Sequence, residues 1–317
     1  MKNWKKWLSY LLFLAMVALL GWYLYQNRED LSRLIALDFS TVLWMIVLAL
    51  GACTINCVYH KLILDTYRIP MDAVDWMGVV YVANAMAYVL PLRMDLVFSA
   101  TYYKRTKGLA YVKSASMAAG NIVFSILFAL IQMFAALICT GLFQGVWPGI
   151  LWLVWIAAAV GTAAFLVMAL WFRDRMPAFL SRIGIVRKIV DGFCELLTNR
   201  SLLWRLLVCL IVNNILHLLL YMACFRGIGM EVTLYQALFY NSVSRIMSLV
   251  AIVPGNIGIQ QGVMGAAGSL MGDVFQHGVM VSLLQSAALM AVYILAGLAF
   301  AWPVWKRWNG KGKQRSG

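Results

Sequence analysis

Charge is what this chain has least of. Of its 317 residues only 12 are acidic and 26 basic, so charged side chains make up 12% of the sequence, against 63% hydrophobic and a mean hydropathy of +0.82. A soluble domain is about 25% charged and about 45–50% apolar. No soluble fold of this length hides so much apolar surface, so soluble and disordered classes are excluded and the chain reads as an all-α polytopic membrane protein. Proline is scarce too, with six residues, and no strand-length alternation occurs, which excludes a β-barrel. The six cysteines (Cys53, Cys57, Cys139, Cys194, Cys209, Cys224) fall mostly within apolar runs, lack the spacing of a disulfide framework, and read as small packing residues. Cys53, Asn56, Cys57 and His60 share one helical face, but no second cluster completes a four-ligand set, so no metal is expected.

Catalytic patterns are missing as well. There is no Gly-x-Ser-x-Gly, no His-Glu-x-x-His, no Asp-rich metal motif and no phosphate loop ending in Gly-Lys-Ser/Thr. Asp95 is the single acid within the apolar segments, which leaves little room for paired-carboxylate chemistry. The expectation is a protein that is not an enzyme and uses no cofactor. The net charge of +14 would point to nucleic acid in a soluble protein; here the basic residues sit in loops, so they report topology and anionic lipid headgroups, and no nucleic-acid partner is expected.

What is present is a series of long apolar runs. The first is Trp7–Tyr25 behind Lys2, Lys5 and Lys6, too long for a signal-peptide core and without a small-x-small cleavage site. Thr41–Leu64, Val112–Gly141, Val146–Trp171, Leu203–Phe225 and Phe275–Trp302 follow as five more spans. Two further apolar segments are interrupted. Trp76–Lys107 carries Pro91 at its centre with Arg93 and Asp95 behind it, and Leu234–Met271 carries Pro254 followed by Gly255, Gly258, Gly262, Gly265 and Gly268. Proline breaks a helix and pushes the preceding residue out of the α region. A helix–break–helix segment that returns to its starting side is a re-entrant hairpin, and irregular backbone at membrane depth is tolerated where it lines a wet cavity. Six spans plus two hairpins, or eight full spans, give the same loop sides.

The two interrupted segments resemble copies of one unit. Gly108 follows Pro91 by 17 residues and Gly272 follows Pro254 by 18, each before a long span, and Asn121 and Gln285 stand 30 and 31 residues after the prolines. Three crossings between the copies would invert them, as in alternating-access transporters; chance recurrence of Pro and Gly is the competing explanation. On this reading the chain is one integral membrane domain, 1–317, with repeats near 67–141 and 231–303, a cytoplasmic linker at 173–202 that is either amphipathic or simply solvated, and a basic tail at 304–317. With the N-terminus inside, Arg28, Arg33 and Arg226 fall outside, Arg93 and Arg245 lie in the interrupted segments, and the remaining 21 of 26 basic residues are cytoplasmic, as is the C-terminus. The positive-inside rule supports that orientation, in the cytoplasmic (inner) membrane.

Polar residues where polarity is expensive give the candidate site. A charge at the bilayer centre costs roughly 2.5–3.5 kcal/mol on insertion scales. Arg93 and Asp95 either pair with each other or line a polar cavity, and Arg245, four residues after Asn241, is a plausible phosphate partner. Pro254-Gly255-Asn256-Ile257-Gly258-Ile259-Gln260-Gln261-Gly262 combines flexible backbone with the uncharged donors Asn256, Gln260 and Gln261; Gly258 and Gly262 are also spaced as a helix-packing GxxxG. Asn213, His217 and Tyr221 form a stripe at i, i+4, i+8, where His217 either carries protons or is hydrogen-bonded in place. Asn84 and Gln132 are weaker candidates.

Pro91–Arg93, the basic loop at Gly108 and Pro254-Gly255-x-x-Gly258-x-x-Gln261 together resemble the lysylphosphatidylglycerol synthase transmembrane-region family, also called flippase-like domain proteins, over roughly Asp38 to Trp302. The resemblance implies a polytopic helical fold with re-entrant elements. In family members this domain moves aminoacylated phospholipid between leaflets beside a synthase domain, or accompanies isoprenoid-lipid and glycolipid pathways. The match departs from the family pattern where Met94-Asp95-Leu96 replaces Gly-Glu, Gly120-Asn121 replaces Glu-Arg, Asn256 replaces a Gly, Gln261 replaces Glu and Gln285 replaces Arg, so most of the family's buried charges are neutral here. About 15 residues follow the last span, so no synthase domain is expected. The expectation is a lipid translocator for a phosphate-bearing lipid (phospholipid, aminoacyl-phospholipid or isoprenoid-linked lipid). Arg93 and Arg245 would meet phosphate, and Asp95, Asn121, Asn213, His217, Asn256, Gln260, Gln261 and Gln285 the remainder of the site. The alternative is an accessory subunit of a separate lipid synthase or transferase. The oligomeric state is not readable from the sequence.

Overall fold

The computed structural model describes residues 37–66, 69–90, 93–175, 199–249 and 253–310. The expected first span, Pro91 and most of the 173–202 linker lie outside these residues. Among the described residues there are nine α-helices and no strand. In chain order they are α1 (Phe39–Asp65), α2 (Val79–Val89, opened by a π-type turn at Val74–Gly78), α3 (Met94–Lys107), α4 (Tyr111–Gln144), α5 (Gly149–Arg175), α6 (Arg200–Gly227), α7 (Leu234–Met247), α8 (Ile259–Leu270) and α9 (Phe275–Gly310). Side-chain caps fix several starts. The Asp38 carboxylate accepts from Ser40 N at 3.1 Å, Asn199 Oδ1 from Leu202 N at 3.1 Å, and Thr233 and Gln236 form a reciprocal capping box.

Helices α1, α4, α5 (through Met168), α6 and α9 are long and apolar enough to cross a bilayer, so the protein is a multi-pass membrane protein. They are the second to sixth expected spans. Helix α5 stands at the periphery, with Leu153, Val160 and Val167 exposed, and is tied to α4 by Trp155 Nε1 donating to the Leu130 carbonyl at 2.8 Å.

The two interrupted segments are helix–break–helix. Leu90 is extended (φ −110, ψ 135), as a residue before proline must be, and Arg93 starts α3 in the left-handed region at φ 55. In the second segment a 3-10 turn, Pro254–Asn256, separates α7 from α8, with Gly255, Asn256 and Gly258 at φ 60, 54 and 89. The breaks touch: a Cβ on Gly255 would lie 2.8 Å from the Tyr88 ring. Both segments close on a left-handed glycine, Gly108 (φ 74) and Gly272 (φ 82).

Packing runs across the chain. Helix α6 lies along α1, α2 and α8 both lie against α9, and α7 lies against α4. The largest core cluster contains Cys53, Cys57, Tyr221, Phe225, Tyr240 and Met264; the two cysteines and Cys224 are buried free thiols, in keeping with a packing role. Small residues allow the closest approaches: a Cβ on Gly278 would meet the Met264 carbonyl oxygen at 2.5 Å, and one on Gly268 the Tyr240 hydroxyl at 2.2 Å. Gly262 has open space around its Cβ position, so no helix among the described residues packs on it there.

The last helix continues past the expected span, through Pro303 to Gly310, so the first residues of the basic tail are helical. Tertiary contacts carry it onward. Trp308 stacks on Phe98 at 5.8 Å with Arg105 over its ring at 5.5 Å, and Arg307 pairs with Asp72 and, at 3.3 Å, with Asp75. Asp75 is 1% exposed and also pairs with Lys107 and accepts from the Tyr102 hydroxyl at 3.0 Å. This cluster binds the start of α2, the end of α3 and the end of α9 together.

Candidate functional site

A cavity of about 340 Å³ opens between the two breaks, lined from α1, α2, α3, α4, α6, α7, α8 and α9. Arg93 reaches it from the first break. Its Nη1 donates to the Ser248 carbonyl at 3.2 Å, just beyond α7, and its Nε stands 3.5 Å from Asp95 Oδ1. The side chain therefore spans both breaks. The expected Arg93–Asp95 pair and the expected cavity are both present, since the pair lines the cavity wall.

Arg245 projects from α7. Its Nη2 donates to Asn213 Oδ1 at 3.1 Å, and Asn213 Nδ2 donates to the Ala52 carbonyl at 3.0 Å, a chain that links α7, α6 and α1. Arg245 Nε is buried without a hydrogen-bond partner among the described residues. His217 lies one turn beyond Asn213 on the same wall, and His60 faces in from α1. Tyr221 does not share that wall: it is fully buried and stacks on Tyr240 at 6.5 Å. Each i+4 step turns a helix by about 400°, so two steps carry Tyr221 about 80° away from Asn213.

The second break supplies carboxamides. Asn256 Nδ2 donates to the Met247 carbonyl at 2.8 Å, while its Oδ1 is buried without a partner among the described residues. Gln260 Nε2 donates to Ser244 Oγ at 3.0 Å and to Gln285 Oε1 at 3.4 Å. Asn121, from α4, completes the pair with Gln285 expected from the proline spacing, and both line the cavity. Gln261 does not line it. Its Oε1 accepts from Gly258 N at 2.6 Å and its Nε2 donates to Ser286 Oγ at 3.4 Å, so it caps the start of α8. Nine of the ten candidate binding residues thus converge on one space. Asn84 lines it as well; Gln132 is buried in α4 away from it.

The wall also holds residues that sequence reasoning missed. Tyr59 presents a buried hydroxyl without a partner, and the Tyr293 hydroxyl accepts from Asn56 Nδ2 at 3.2 Å; Tyr88 and Ser244 complete the surface. Aromatic and serine residues within apolar helices carry no distinctive signal, because the same types serve as ordinary packing.

The residues from 7 to 297 match the family model of the lysylphosphatidylglycerol synthase transmembrane region. Compared with curated proteins and with solved structures, the chain gives no match. The matched stretch contains both breaks and every residue of the cavity wall, and the chain belongs to the lysylphosphatidylglycerol synthase transmembrane-region family.

Proposed function

We propose that this protein translocates a phosphate-bearing lipid across the cytoplasmic membrane, holding the headgroup in the cavity between the breaks while the acyl chains stay in the bilayer. The observation that carries this reading is the convergence of Arg93, Arg245 and the carboxamides on one polar space among membrane-spanning helices. Ligand pockets are usually about 300–1,000 Å³, and at about 340 Å³ this one suits a headgroup rather than a whole lipid. Guanidinium groups replace the hydration that a phosphate sheds on leaving water. The chemistry this requires is binding and release, with no covalent step.

The reading takes the two broken segments as re-entrant hairpins of an inverted repeat. Helices α3, α7 and α8 have 14, 14 and 12 residues, about 18–21 Å, well short of a hydrocarbon core of about 30 Å. Packing is reciprocal: α2, from the first unit, lies on the long helix of the second, and α7, from the second, lies on the long helix of the first. Gly108 and Gly272 share a left-handed conformation at matching places, and Asn121 and Gln285 share the cavity. Two such units of opposite orientation would open the cavity to one leaflet at a time. Both chain ends are cytoplasmic in this arrangement, and membrane lipids with anionic headgroups are the partners it implies.

The test is reconstitution of the full chain in liposomes with a fluorescent phospholipid. Arg93→Ala, which removes both the phosphate contact and the tie to Ser248, is expected to slow flipping about tenfold or more. Equal rates for the variant and the wild type would defeat the proposal.

A further inference from the structure

We propose that the cavity selects headgroups by the sign of their charge. It takes a phosphodiester headgroup that carries hydroxyls, and it disfavours one that carries an ammonium group. This rests on the lipid-binding reading above, and it does not require that the lipid be moved.

Three observations support it. First, the wall carries two guanidinium groups, Arg93 and Arg245, and one carboxylate, Asp95. That carboxylate is paired with Arg93 at 3.5 Å, although its Oδ1 has no hydrogen-bond partner among the described residues, so the two guanidinium groups outnumber it and an incoming ammonium meets a wall with excess positive charge. In a low-dielectric site a cation stripped of water without a counter-charge is strongly disfavoured. Second, Arg245 is held through Nη2 by a neutral carboxamide, Asn213, at 3.1 Å, and its Nε is buried without a partner among the described residues. The guanidinium is oriented but not neutralised, which leaves a donor and a full charge for an anion. Third, the rest of the polar wall adds no carboxylate: it is amide, hydroxyl and the imidazoles of His60 and His217. Two of these groups, Tyr59 OH and Asn256 Oδ1, are buried without partners among the described residues. A hydroxyl of a glycerol or sugar moiety donates and accepts at once, and it satisfies such groups without bringing charge.

The geometry also assigns the charge balance to particular residues. Asn256 and Gln285 line the cavity as neutral carboxamides, so they hold shape and hydrogen bonding without adding to either sign. Selectivity then depends on Arg245, because Arg93 is partly offset by Asp95.

Full-length protein purified in detergent is tested by displacement of a fluorescent phosphatidylglycerol. The competitors are unlabelled phosphatidylglycerol, phosphatidylethanolamine and the lysyl ester of phosphatidylglycerol. Phosphatidylglycerol is expected to compete about tenfold better than either ammonium-bearing lipid, the difference one charge-assisted hydrogen bond confers. Arg245→Gln is expected to erase that order, whereas Arg245→Lys preserves it. The wild-type order decides the matter even if a variant does not fold: equal or tighter binding of the lysyl ester overturns the proposal. An order retained in a well-folded Arg245→Gln variant also overturns it. Liposome flipping separates the two claims. The expected binding order with no flipping sinks translocation and leaves selectivity standing, while flipping with no binding order does the reverse.

Discussion

The cluster around Asp75 allows a quantitative test of what locks the broken first segment in place. Asp75 is 1% exposed and meets Lys107, Arg307 at 3.3 Å and the Tyr102 hydroxyl at 3.0 Å; Lys107 also donates to the Pro70 carbonyl at 2.8 Å. Stripping a buried charge of its partner costs about 3–5 kcal/mol, whereas an exposed pair is worth about 0–1 kcal/mol. Lys107→Met leaves Asp75 two of its partners, so its expected cost lies between these limits, at about 2 kcal/mol. Asp75→Asn keeps the shape and the Tyr102 contact, and Lys107, 14% exposed, can turn toward water; its expected cost is about 1 kcal/mol. The double variant then has neither an orphaned carboxylate nor an orphaned amine. Its cost should fall short of the sum of the singles by at least about 1 kcal/mol, a coupling well above the 0.3–0.5 kcal/mol scatter of independent sites. Denaturant unfolding in detergent micelles for the wild type and all three variants measures the cycle. Costs that simply add would show that the lysine and the aspartate do not act as a unit, and the assignment of this cluster as a lock would be wrong.

Further outcomes are expected. Gly278→Ala drives a Cβ to 2.5 Å from a backbone oxygen that has nowhere to retreat, so a loss of several kcal/mol, or failure to accumulate, is expected. Gly262→Ala meets open space within α8 and should be neutral or stabilising by up to about 1 kcal/mol; a clear loss of melting temperature there would restore a packing role for the Gly258/Gly262 spacing. Asp72, in the connection before α2, is pushed up by its slight burial, but hydrogen bonds with Arg307 and Asp75 and the Arg307 charge outweigh this and hold it below the ordinary carboxylate range. A lowered folded-state pKa means the tie stabilises above the unfolded value of about 3.9 and is lost as pH falls through the folded one. The melting difference between wild type and Arg307→Gln should therefore be present at pH 6 and shrink below about pH 4; a difference that grows on acidification would contradict this.

How far the sequence speaks depends on whether a feature is local. A span needs only some 20 apolar residues in a row, so α1, α4, α5, α6 and α9 were legible from composition. The breaks were legible too, because Pro254 and its glycines signal an interruption within a few residues. Arg93, Arg245 and the carboxamides could be picked out because polarity inside an apolar run demands a reason. What stayed hidden depends on partners far along the chain. Asp75 looks like an ordinary loop acid until Lys107 and Arg307 fold onto it. The stacking of Trp308 on Phe98 joins residues 210 positions apart and has no local signature. Gln261 looks like its neighbour Gln260, yet one turns into the cavity and the other back onto Gly258, because neighbouring residues on a helix point about 100° apart and Gln261 stands at the capping position of α8, whose start is set by the fold of the break.

Helix α9 is 36 residues long, about 54 Å, and its flank carries one arm of each broken segment. It is the element that the two segments have in common. Anchored at the Arg307 end, a swing of ~10° would sweep the opposite tip through about 9 Å, a stroke as large as a small headgroup. Both broken segments therefore rest on one shared support, and a displacement of α9 would be felt by both.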